Sequence, residues 1–105
     1  MAEPERLEVW WGELPHRTPR PYLVLTRSRA IPVLRRVVVA PITTTVRDIP
    51  TEVPLGGNEG LPVESVASLD NIETLPMSGL VRRVGALVAS RAHLVCAALR
   101  NAVDC

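Results

Sequence analysis

The sequence predicts a mainly β domain with a single C-terminal helix, and three observations carry that prediction. Residues 37–42, VVVAPI, form a short apolar run rich in β-branched side chains, which suits a buried strand better than a helix. Further short apolar segments are separated by loops containing Pro and Gly. After Ser90, a plausible N-cap, the residues Leu94, Val95, Ala98, Leu99 and Ala102 recur at three- and four-residue spacing, the period of a helix through Val103 packed on one face.

In chain order, residues 3–6 are a polar start and residues 7–11, LEVWW, a first strand. Alternation sets Val9 and Trp11 on one face and Trp10 on the other, so at least one tryptophan is expected in the core; the other reading is that one lines a base-stacking groove. Residues 12–19, GELPHRTP, make a loop too long for a tight hairpin. A second strand follows at 20–25, RPYLVL, where Pro21 is tolerated at the start. Residues 26–34 read as a polar connection broken by Ser28 and Pro32, and Arg27, Arg29, Arg35 and Arg36 are candidates for a basic rim. Beyond the central strand, Thr43, Thr44 and Thr45 emerge where side chains leave a sheet edge, and Arg47 and Asp48 form an exposed bend. Strands are expected again at 49–55, 65–69 and 81–87, with a turn-rich loop at 56–62 that lacks the Gly-Lys-Ser/Thr ending of a phosphate loop.

At 105 residues the chain is expected to form one domain, residues 1–105. Its aromatic content is two Trp and one Tyr, so aliphatic side chains must fill the core. A net charge of +1 excludes a strongly basic nucleic-acid coat, and any affinity for a polyanion must come from local placement of charge. All 12 positive side chains are Arg, the better fork for phosphate oxygens, although a coding bias explains the absence of Lys equally well. No run approaches the ~20 apolar residues of a membrane span and the N-terminus lacks the features of a signal peptide, so a cytoplasmic location is expected. Cys96 and Cys105 are expected to be reduced thiols, with an intermolecular bridge through Cys105 as the alternative. His93 and Cys96 share a helical face, but no other pair completes a metal site; no metal and no cofactor are expected.

Four blocks in register, EVWWGELP (8–15), RPYLVL (20–25), VVVAPIT (37–43) and GLPVESVASLDNIETLP (60–76), resemble the MazF/PemK family of toxin endoribonucleases. The resemblance spans about residues 8–99 and implies a small SH3-like antiparallel β-barrel of the CcdB/PemK-like kind. It implies the toxin of a type II toxin-antitoxin system, a metal-independent, sequence-specific endoribonuclease that cuts single-stranded RNA by attack of a 2′-hydroxyl on the adjacent phosphate. The products implied are a 2′,3′-cyclic phosphate and a 5′-hydroxyl. Arg20, in the Arg-Pro pair, and Thr43 match the family's catalytic positions. His16, Arg17 and Thr18 in the loop that shapes the RNA groove, with Thr44 and Asn71, are the RNA-binding candidates. Histidine is a common general base, which makes His16 a candidate for that role, but the family does not rely on a histidine there. In the DNIET block, Asn71 stands for the family's usual Gln and Glu73 for its usual Arg, and no role is carried onto Glu73. The partners implied are a second copy of the chain and a cognate antitoxin whose extended, acidic and apolar tail occupies the groove, with base choice set by the loops at 12–19 and 56–62. Two alternatives are a CcdB-like gyrase poison and a catalytically inactive SH3-like binding module. The first depends on a C-terminal Trp-Gly-Ile, whereas this chain ends Ala102-Val103-Asp104-Cys105.

Overall fold

The computed structural model describes residues 3–103, so the alternatives for Cys105 lie outside the described residues. Seven strands run β1 (Glu8–Gly12), β2 (Arg20–Val24), β3 (Arg36–Thr43), β4 (Glu52–Leu55), β5 (Ser65–Ser68), β6 (Glu73–Pro76) and β7 (Leu80–Ala86); a one-turn helix α1 (Ile31–Leu34) precedes β3 and helix α2 (Ala92–Val103) ends the chain. All pairings are antiparallel, and the sheet order is β4-β5-β3-β2-β1-β7, with β6 also on β3.

β3 is the hub, as its β-branched run requires. Along one edge, Arg36 to Val39 pair with Pro76 to Glu73 of β6, and Ile42 and Thr43 pair with Ala67 and Val66 of β5. Along the other, Val39 to Pro41 pair with Val24 to Tyr22 of β2. Alternation along the strand feeds two cores. Ala40 and Ile42 join Val9, Leu23, Val53, Ala67 and Leu69 beneath α2, whose Val95 and Ala98 are buried while Leu94, Leu99 and Ala102 pack around them. Val37 and Val39 join Trp10, Tyr22, Val24, Ile31 and Leu75 on the opposite face. Each large aliphatic side chain buried in this way contributes about 1.5–3 kcal/mol.

Several sequence expectations change. Residues 26–34 are not simply polar: a 3-10 turn (Ser28–Ala30) and α1 carry Ala30 and Ile31 into the core. β4 begins at Glu52 rather than 49, because Pro50 has no N–H to donate to a ladder. The strand expected at 65–69 ends at Ser68, and Leu69, though buried, opens a 3-10 turn. Residues 73–76 form a strand that their mixed polarity did not announce. Ser90 sits within a 3-10 turn (Ala89–Arg91) ahead of α2, where its carbonyl accepts from His93 Nδ1 at 3.0 Å. Trp10 is core, whereas Trp11 is half-buried with the Arg82 guanidinium 5.8 Å from its ring centroid.

The barrel is open, because β4 and β7 end the sheet without pairing to each other. Their surroundings instead meet backbone to backbone: a Cβ on Gly60, after the 3-10 turn Gly57–Glu59, would fall on the Val84 carbonyl, and one on Gly85 would fall on the Glu59 carbonyl. Glu59, buried to 3% exposure, fixes this junction by accepting from Gly56 N–H at 2.6 Å and from Arg91 Nη1 at 3.3 Å.

Beside this junction, Glu8 ties β1 to β7. Its Oε1 accepts from Glu5 N–H at 2.8 Å and from Trp10 Nε1 at 2.9 Å, and its Oε2 from Arg83 Nε at 2.7 Å. Burial pushes the Glu8 carboxyl up, but hydrogen bonds from Trp10, Arg83 and Glu5 outweigh it and hold the group below its ordinary 4.5. A lowered folded-state pKa adds stability that is present above the unfolded value and is lost as pH falls through the folded one. Glu8→Gln is therefore expected to lower stability at pH 7 by roughly 1–3 kcal/mol and to flatten the acid limb below pH 4.5, read from urea melts across pH.

Candidate active site

The register of β2 against β3 builds the site. Tyr22 faces Pro41 at the end of the β2–β3 ladder, and Arg20 and Thr43 each lie two residues beyond that pair along their strands. Side chains two apart on a strand share a face, so Arg20 and Tyr22 stand beside Pro41 and Thr43 on one surface. All four line a groove of about 680 Å³. Because β2 lies on one side of β3 and β5 and β6 on the other, the groove has two unlike walls. Arg17, Thr18 and Arg20 come from the β1–β2 side, and Ser68, Asp70, Asn71, Ile72 and Glu73 from the β5–β6 side. Arg47 and Glu52, flanking the β3–β4 loop, complete it.

The backbone sets several of these groups. Thr43 Oγ1 accepts from Thr45 N–H at 3.1 Å, a local turn that ends β3. Glu52 Oε1 accepts from the N–H groups of Arg47 and Asp48, each at 3.0 Å, which shapes the bend bearing Arg47. On the facing wall, Thr51 Oγ1 donates to Asp70 Oδ2 at 2.6 Å and Asn71 Nδ2 donates to Ser68 Oγ at 2.8 Å. Arg17 Nη1 spans to Glu73 Oε1 at 2.7 Å. Glu73, with Tyr22 second, holds the Arg17 guanidinium above its ordinary pKa.

Of the sequence candidates, Arg17, Thr18, Arg20, Thr43 and Asn71 come together in this groove. His16 is exposed with φ 63° and Thr44 is exposed, and neither is among the groove-lining residues. None of residues 56–62 lines it, nor does either tryptophan or any of Arg27, Arg29, Arg35 and Arg36. Sequence reasoning missed Tyr22, Arg47, Glu52, Ser68, Asp70 and Glu73. Tyr22 was recoverable from its i+2 relation to Arg20; Glu52 and Ser68, from strands that register alone brings together, were not. The groove carries Arg17, Arg20 and Arg47 against Glu52, Asp70 and Glu73, so it is charge-patterned and not uniformly basic. Among the described residues, no group of His, Cys, Asp and Glu is arranged to hold a metal ion.

The family model of the PemK-like, MazF-like toxins of type II toxin-antitoxin systems matches residues 5–103. The chain belongs to this family. It is 46% identical over 105 residues to the probable endoribonuclease MazF5 of Mycobacterium tuberculosis, covering 99% of this chain and 96% of that relative. Among solved structures, the Mycobacterium tuberculosis toxin MazF-mt6 matches with a TM-score of 0.86 at 43% identity, covering 92% of this chain and 96% of that one. A mycobacterial endoribonuclease solved in complex with its cognate antitoxin matches with a TM-score of 0.84 at 30% identity, covering 96% of this chain and 95% of that one. The toxin family thus accounts for the open β-barrel with its terminal helix, and the gyrase-poison reading is not favoured.

Proposed function

We propose that this MazF-like toxin is an endoribonuclease that cuts single-stranded RNA in the groove between Arg20 and Thr43, without a metal, and thereby blocks translation and growth. The observation that supports the reading is that Arg20 and Thr43 line one groove in a chain whose relatives are named endoribonucleases. RNA brings its own nucleophile, the 2′-hydroxyl beside each phosphate. The protein has to stabilise the charge that builds on the pentavalent phosphorus and to protonate the departing 5′-oxygen. Arg20 offers a planar fork of donors to the non-bridging oxygens and no acceptor, so it serves as charge stabiliser and leaving-group acid, not as base. Thr43 donates one further hydrogen bond that orients the phosphate.

The working unit is a homodimer in the cytoplasm, and a cognate antitoxin silences it by laying an extended, acidic and apolar tail along the groove. A mycobacterial relative solved with its cognate antitoxin supports that partner, and no helix among the described residues is long and apolar enough to cross a membrane.

The test is incubation of the purified chain with a long mixed-sequence RNA in excess EDTA, with the cut ends mapped. Cuts at a restricted set of sequences are expected; intact RNA in EDTA that is cut when Mg²⁺ is restored would refute the metal-free mechanism. Thr43→Ala is expected to slow cleavage about ten- to a hundredfold, the range for one hydrogen bond to a charged group. Its thermal midpoint should fall only slightly, since the half-buried side chain makes one local hydrogen bond to Thr45.

A further inference from the structure

We infer that Glu73, held by Arg17, reads a cytosine of the bound RNA; this rests on the endoribonuclease reading above. A carboxylate in the wall of a groove for a polyanion repels phosphate, so it has to face something other than the backbone. Glu73 is such a group: its side chain is 30% exposed and lines the groove on the wall opposite Arg20. Only Oε1 is engaged, by Arg17 at 2.7 Å, and no hydrogen bond to Oε2 is found among the described residues. Arg17 and Glu73 line this groove together with Tyr22, which is buried in the core.

The pair therefore offers an acceptor, Oε2, beside the remaining N–H donors of a guanidinium that carries five. Unstacked bases in single-stranded RNA are read along their Watson–Crick edges. Cytosine presents N4–H, N3 and O2, a donor followed by two acceptors, which matches one carboxylate oxygen followed by a guanidinium fork, and acidic side chains characteristically accept from cytosine N4. Adenine satisfies the first two positions and leaves a C–H at the third. Uracil sets N3–H against an arginine donor, and guanine presents the reverse order and needs both carboxylate oxygens, one of which Arg17 occupies.

The experiment uses the full chain and an RNA oligonucleotide carrying its mapped cut site, in which each cytosine is replaced in turn by uracil or by 2-pyrimidinone, which is cytosine without its amino group. At one cytosine near the cut, both replacements are expected to slow the wild type at least about tenfold. Glu73→Gln, whose amide can turn a donor toward uracil O4, is expected to narrow the gap between the cytosine and uracil forms without closing it, because Arg17 still faces uracil N3–H, and Glu73→Ala to lose the discrimination between cytosine and 2-pyrimidinone. Three results overturn the inference: a cut site without cytosine, a wild type indifferent to every replacement, or variants that discriminate as the wild type does. Each of these leaves the endoribonuclease reading standing. A wild type that cuts no RNA at all removes both.

Discussion

Arg20→Ala is expected to reduce single-turnover cleavage about a hundred- to a thousandfold, the roughly 2.7–4 kcal/mol lost when one preorganised donor is removed from a charged transition state. Arg20 is exposed at the start of β2 and packs in neither core. Its thermal midpoint should accordingly stay within the shift of an ordinary surface substitution, about 0.5 kcal/mol. Arg20→Lys separates charge from shape. A lysine restores the cation but not the planar fork, so it should recover part of the rate and not all of it. Cleavage by Arg20→Ala at the wild-type rate would remove this residue from the mechanism.

Gly60→Ala is expected to be among the most damaging substitutions for stability, at about 2–5 kcal/mol. Two costs combine there. The residue has φ 85°, which disfavours an L side chain by roughly 1–2 kcal/mol. The added methyl also meets the Val84 carbonyl, a backbone atom that cannot rotate aside, and overpacking of that kind costs about 1–3 kcal/mol. Against a total stability of about 5–15 kcal/mol, this is a large share. Urea denaturation would show a lower midpoint with an unchanged slope; an unchanged midpoint would mean that the junction between the open edges of the barrel carries no load.

The parts of the fold legible in the sequence are those with strong periodicity. The run at 37–42 and the spacing from Leu94 to Ala102 each have one physical solution, a buried strand and a helix with one apolar face, and both elements are present. β6 was not legible, because ETLP holds only Leu75 as a core residue and becomes a strand through its partner β3. Ile31 stands in the apolar stretch AIPVL (30–34), of which Val33 and Leu34 are exposed, so only the turn of helix decides that Ile31 is the one brought inward. The candidate site divides the same way. Arg20, Thr43, Arg17, Thr18 and Asn71 were marked by the motif resemblance, while Glu73 stood out only as a departure from it. Its pairing with Arg17 joins residues 56 positions apart, which no local pattern encodes.

The most direct test of the central claim is cleavage of a short RNA containing the mapped cut site, compared with the same RNA carrying a single 2′-deoxy nucleotide immediately 5′ of the scissile phosphate. Attack by the 2′-hydroxyl predicts complete protection at that bond, and a 2′,3′-cyclic phosphate on the 5′ fragment of the all-ribo control. Cleavage of the deoxy RNA at the same bond would contradict the account, because the nucleophile would then have to come from elsewhere.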